Sequence, residues 1–319
     1  MASAALLDLL TSLGRDLGRL FGVSRRGGGS RRGGIDSQQV QSWLAEAEAA
    51  GQAGRLDEAM TLYRRVLGER AAHPVALRGL REAALAAGQS AEAINAQQRL
   101  VNAAPSHERA AEAQRLATLH YAQASEDLEC GRPAAAIPHL KNALRWARDF
   151  VPATVALGDA QTRLGERREA VRTWERALDG QPSLPVLARL ERAYRDEGRP
   201  TRMIAVYREA IARAPDDLAL AVALGRVYLD LEMLDEAADQ LEKVEVRAPD
   251  LPIVHAYLAA VFERRGDVRE ACAEYRRSLH LARLLDWPHR CEACQATSLG
   301  WQDQCQACRR WNTLRPAQS

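Results

Sequence analysis

The chain has 319 residues, of which 47% are hydrophobic, 5% aromatic and 27% charged, and its formal net charge is +2. That length predicts two domains or a repeat array rather than one compact domain. An apolar fraction so rich in alanine and leucine excludes disorder and suits amphipathic helices rather than a β-sandwich or barrel, while near-neutral charge excludes a global field for nucleic acid.

In residues 1–36, Leu6, Leu10, Leu13, Leu17 and Leu20 fall on one helical face, and Asp8, Arg15, Asp16 and Arg19 lie around them. A charge costs about 2.5 to 3.5 kcal/mol at a bilayer centre, while each leucine returns only about half a kcal/mol, so spanning loses. Neither a basic leader nor a small-residue cleavage site marks a signal peptide. The expectation is a short amphipathic helix that docks on protein, capping the first repeat at Val40 and Trp43, or lies on a membrane surface. The stretch from Ser24 to Gly34 is too rich in glycine for a helix and reads as a flexible linker. Its Arg25, Arg26, Arg31 and Arg32 form a small basic patch suited to acidic lipid or RNA.

From residue 37 to 285, periodicity decides the fold. Gly54, Gly88, Gly131, Gly165, Gly198 and Gly266 are separated by 34, 43, 34, 33 and 68 residues, with Glu232 where the missing glycine would stand. Five residues after each marker come Ala59, Ala93, Ala136, Ala170, Met203, Ala237 and Ala271. Four further on come Tyr63, Gln97, Leu140, Trp174, Tyr207, Leu241 and Tyr275. Pro105, Pro182, Pro215 and Pro249 recur at a matching phase. This pattern resembles the tetratricopeptide repeat and implies an all-α superhelical solenoid of about seven helix pairs. Glycine permits the left-handed turn between helices, alanine the close crossing, and proline ends the second helix. The nine extra residues before Gly131 are expected to lengthen a helix around Glu108 to Leu116.

Such a stack makes one long concave face. Arg78, Arg163, Arg192, Arg195 and Arg226 are candidate groove residues for an acidic protein client. Tyr121, Tyr194 and Tyr228 are expected in the core. Cys130 and Cys272 read as small buried hydrophobes, and His255 and His280 as ordinary core histidines. Neither a Ser/His/Asp set, a phosphate loop nor paired acids with a pocket emerge, so no catalytic residue is assigned and the expectation is a non-enzyme.

Residues 286–319 carry the strongest chemical signal. Cys291 and Cys294, then Cys305 and Cys308, form two C-x2-C knuckles ten residues apart, the spacing of a tetrahedral four-thiolate site for one ion. The metal is zinc or iron. Clustering at one end argues for a metal site in a reducing, cytoplasmic compartment rather than a disulfide framework. Arg290, Arg309 and Arg310 lie beside the ligands, where they offset the net negative charge of four thiolates, and His289 is not needed to complete the set. With all four positions filled by protein, the site is structural or, at most, an electron relay. Trp301 and Trp311 are expected to dock the ribbon on the last repeat.

Together, Cys291, Cys294, Trp301, Cys305, Cys308, Trp311, Thr313, Leu314, Arg315 and Pro316, following the repeats, resemble the rubredoxin-type end of the lipopolysaccharide assembly protein B family (LapB, also called YciM). Gln295 and Gln306 stand where that family usually has glycine and proline. The resemblance implies a non-enzymatic adaptor on the cytoplasmic face of the inner membrane, which helps the protease FtsH degrade the lipid A enzyme LpxC. A scaffold for another complex and a rubredoxin-like electron carrier are the other functions open to such a chain.

Overall fold

A computed structural model describes residues 37–281 and 288–317; the helix and linker expected over residues 1–36 lie outside the described residues. Fourteen α-helices are described, in seven antiparallel pairs, together with a small three-stranded sheet at the C-terminal end. The first three pairs are α1 (Ser37–Gln52) with α2 (Leu56–Glu69), α3 (Pro74–Ala86) with α4 (Ser90–Ala103), and α5 (Ser106–Glu129) with α6 (Pro133–Trp146). Next come α7 (Val151–Arg163) with α8 (Arg167–Leu178), and α9 (Leu184–Asp196) with α10 (Pro200–Arg213). The last pairs are α11 (Leu218–Asp230) with α12 (Leu234–Arg247), and α13 (Pro252–Arg265) with α14 (Val268–Leu281). The sheet contains β1 (His289–Cys291), β2 (Thr297–Ser298) and β3 (Leu314–Pro316). The extra residues of the third repeat lengthen α5 to 24 residues.

Each pair turns at its marker position. After α9, the Gly198 amide donates to Arg195 O at 3.1 Å and the Arg199 amide to Tyr194 O at 2.8 Å, with Gly198 left-handed at φ 66°. Glu232 closes the same turn after α11 at φ 58°, with its own amide on Leu229 O and that of Met233 on Tyr228 O. A side chain therefore occupies a conformation that glycine adopts freely. Within a pair, helices approach closely at Gly158, where an added Cβ would collide with the indole of Trp174, and at Gly225, where it would collide with Leu241.

The core runs along the stack in three patches, one in the first two repeats, one around α5 to α7 and one from α7 to α13. The break between the first two has a residue-level cause. Gln97 stands where most repeats place a large apolar side chain, and it is fully buried. Its Nε2 donates to Glu112 O and Oε2, both at 2.8 Å, while Arg81 donates to its Oε1 at 2.5 Å. Hydrogen bonds from Gln97 and Arg115 and the charge of Arg78 hold the Glu112 carboxyl below its usual range, against the opposing effect of burial. A satisfied polar network replaces apolar packing there.

Val40 and Trp43 are buried in the first patch, with Arg65 stacked 4.1 Å over Trp43, and the cap expected over them lies outside the described residues. Two expectations are corrected. Cys130 and Cys272 are exposed, because they fall at a helix end and on the outer face of the last helix. His280 is exposed as well. His255 is fully buried but not bland: its ring nitrogens lie 2.6 Å from Glu274 Oε2 and 2.6 Å from Pro249 O.

Candidate metal centre and its seat on the solenoid

The two knuckles repeat one backbone design. The Cys291 amide donates to Ala296 O at 2.8 Å and the Gln295 amide to Cys291 O at 2.8 Å. In the second knuckle, the Cys305 amide donates to Arg310 O at 2.9 Å and the Arg309 amide to Cys305 O at 2.8 Å. Each turn needs a left-handed residue after its second cysteine, supplied by Gln295 at φ 61° and Arg309 at φ 58°. That requirement is the physical reason why glycine suits the first of these positions.

The sheet order is β2-β1-β3, with Cys291 opposite Leu314 and Arg290 between Thr297 and Arg315. All four sulfurs lie within 4.8 Å of one another, with Cys291 to Cys308 at 3.7 Å and Cys294 to Cys305 at 3.7 Å. A tetrahedral ion with metal–sulfur bonds of about 2.3 Å requires sulfurs about 3.8 Å apart. The residues therefore fit one four-thiolate ion. Burial disfavours the Cys291 thiolate, but the Thr313 hydroxyl and the Cys294 and Ala293 amides outweigh it and pull the thiol down to about 6. Cys291, Cys305 and Leu314 are the buried centre of the ribbon. So small a core cannot hold a fold alone, and a bound ion would supply the missing folding energy.

The ribbon does not sit on the last repeat. It reaches back to the third and fourth repeats, where the Tyr121 hydroxyl donates to Asp303 Oδ2 at 2.8 Å. Trp311 packs edge-on to Tyr121 at 5.0 Å between ring centroids, and Tyr121 in turn packs edge-on to Phe150 at 5.3 Å. Asn312 Nδ2 donates to Asp149 O at 3.2 Å. Trp311 thus extends the core patch of α5 to α7. The seat is set by contacts between distant surfaces, not by proximity in sequence. Tyr121 and Asp303 are 182 residues apart, and no repeat or motif pairs them. Between the ribbon and the starts of α7, α9, α11 and α13 lies a cleft of about 1050 Å³, with Trp301 and Leu314 on one wall and Leu184, Leu218 and Leu251 on the other. His289 is buried at the edge of this cleft, and burial raises the carboxyl of Asp217, the N-cap of α11, against the opposing hydrogen bonds from the Ala219 and Leu220 amides.

The candidate groove arginines are mostly engaged within the stack. Arg226 donates to Glu191 Oε1 at 3.0 Å and Oε2 at 2.5 Å, and to Asp230 at 2.8 Å. Arg195 bridges the same two acids at 2.9 and 3.1 Å, and the Tyr207 hydroxyl donates to Glu191 Oε2 at 2.8 Å. These bonds outweigh burial and hold the Glu191 carboxyl below its usual range, stitching the fifth repeat to the sixth. Arg78 pairs with Glu108 and Glu112, and Arg163 reaches Leu128 O at 3.5 Å. Arg192 is exposed.

Family models described as tetratricopeptide repeat match residues 52–117, 153–185 and 194–261. No curated protein matches the chain. Among solved structures, residues 41 to the end of MamA from Desulfovibrio magneticus RS-1 are 23% identical over 52% of this chain and 94% of that one, with a TM-score of 0.38. TTC0263, a thermophilic repeat protein of Thermus thermophilus, is 26% identical over 60% of this chain and 99% of that one, with a TM-score of 0.30. Among the described residues, no helix is long and apolar enough to cross a membrane.

Proposed function

Because the chain belongs to the tetratricopeptide-repeat family, we propose that it is a non-enzymatic adaptor of the LapB kind, which holds protein clients on its helical stack and promotes turnover of LpxC by FtsH. The observation that carries this reading is the union of the two parts. A four-cysteine ribbon is seated on the middle of the stack by Tyr121, Asp303 and Trp311, so metal site and repeats offer clients one surface. An ion with four thiolate ligands has no open position for a substrate, which suits a structural rather than a Lewis-acid role. Cys291, Cys294, Cys305 and Cys308 would hold zinc or iron there. Arg192, exposed on α9, is available for contact with an acidic client segment, and the adaptor works on the cytoplasmic side of the inner membrane.

The test is purification of the tagged full chain from its host, with the half-life of LpxC measured in the presence and absence of the chain. Recovery of FtsH and LpxC, with LpxC degraded more slowly when the chain is missing, is the expected result. Unchanged LpxC turnover without the chain refutes the LapB role and leaves a scaffold for another complex.

A further inference from the structure

The His255 ring is fully buried, yet both of its nitrogens face acceptors. It stands in the first turn of α13, between Glu245 in the last turn of α12 and Glu274 on α14. Pro249 O can only accept, so the Nε2 that lies 2.6 Å from it carries a hydrogen. On the other edge of the ring, Nδ1 faces two carboxylates, Glu274 Oε2 at 2.6 Å and Glu245 Oε1 at 3.8 Å. A proton on Nδ1 serves Glu274 alone, because 3.8 Å is too long for a hydrogen bond. A divalent cation placed among the three donor atoms serves them all.

We propose that Glu245, His255 and Glu274 bind a divalent transition ion of the zinc type, separate from the four-cysteine ribbon. Zinc takes imidazole and carboxylate donors at about 2.0 to 2.2 Å, which sets tetrahedral ligand atoms about 3.4 Å apart. The three donor atoms lie within 4.8 Å of one another, and the separations of 2.6 and 3.8 Å bracket the tetrahedral spacing. A ligating histidine characteristically donates its other N–H to a carbonyl or carboxylate, which fixes the ring, and Pro249 O holds that place here. Arg277 Nη1 lies 3.0 Å from Glu245 Oε1 and 3.6 Å from Glu274 Oε1, on a side chain that is 53% exposed. It can turn to solvent as the ion arrives, which opens the fourth position to water. One turn beyond Glu274 on the same face of α14, the buried Ser278 hydroxyl has no hydrogen-bond partner among the described residues. The ion ties together three helices of the last two repeats, where α14, the last helix among the described residues, packs on α13.

The experiment titrates zinc into the full chain, its ribbon already loaded with zinc, with Cys130→Ser and Cys272→Ser so that no thiol outside the ribbon competes. Calorimetry should show one further equivalent. Glu245→Gln, which keeps the shape of a part-exposed side chain, should weaken that binding about tenfold or more. Arg277→Ala, which removes the competing cation, should tighten it about threefold. At free zinc about a hundred times the Kd, amide protection in α14 should rise about a hundredfold. No further equivalent in the parent chain or in Arg277→Ala overturns the proposal and leaves a hydrogen bond between His255 and Glu274. Equal affinity in Glu245→Gln and its parent, or zinc binding that leaves α14 protection unchanged, also overturns it and marks adventitious zinc on surface side chains.

Discussion

Lowering the pH from 7.5 to 5 should loosen the third repeat through one side chain. His120, on α5, is 7% exposed, and its Nδ1 lies 3.2 Å from Nδ1 of His139 on α6. One ring donates and the other accepts, so two imidazolium rings cannot share that contact. Burial, and then the charge of His139, pull the His120 imidazole down to about 4 from its ordinary 6.5. The unfolded chain binds the proton first. Stability is therefore complete above pH 6.5 and is lost as the pH falls towards 4. The full displacement is equivalent to about 3 kcal/mol, of which about 2 kcal/mol is lost by pH 5. Glu112, Glu175 and Glu191 all have carboxyls held below their usual range, so they remain charged through this window. Amide exchange, corrected for intrinsic rates, should show protection in α5 and α6 falling about thirtyfold between pH 7.5 and 5. In His120→Gln the fall should be less than about threefold. An equal pH dependence in both proteins would refute the assignment.

Replacing Cys291 and Cys294 together with serine should remove one metal equivalent and unfold residues 288–317 while the repeats stay helical, as read by elemental analysis and circular dichroism. Full metal content in that variant would show that these cysteines are not the ligands. Tyr121→Phe deletes the hydroxyl that binds Asp303, and should weaken the ribbon's seat by about 1 to 2 kcal/mol, seen as faster amide exchange across residues 288–317 without a change in the metal content. Exchange unchanged in the ribbon would mean that Tyr121 does not hold it. Glu232→Val should lower the melting temperature, because a β-branched side chain tolerates φ 58° less well than glutamate does. Glu232→Gly should raise or preserve it despite the loss of the exposed Arg264 pair, because glycine escapes the about 1 to 2 kcal/mol that a side chain pays there. A higher melting temperature for Glu232→Val than for Glu232→Gly would contradict the strained-turn argument.

The repeat architecture and the ligand set were legible from the chain alone, because both are local. A glycine, an alanine and an aromatic residue recur at a fixed period since each helix pair solves the same packing problem with its own residues. Two C-x2-C turns likewise carry their geometry within four residues each. Even the left-handed turn at Glu232 is visible in the sequence, since the period requires it whatever the side chain. Pairings of distant surfaces are not periodic, and these only the tertiary structure decided. Nothing in residues 288–317 points to Tyr121 as the seat of Trp311 and Asp303, and the short joint after α14 points instead to the nearest repeat. The five arginines on the first helices read from the sequence as groove contacts, yet Arg78, Arg195 and Arg226 meet carboxylates of the stack. Those contacts depend on how successive repeats rotate against one another. The exposure of Cys272 has the same cause: the equivalent residues of earlier repeats, Met60, Val171, Ile204 and Ala238, are buried or half-buried where another repeat follows, and α14 is the last helix of the described stack.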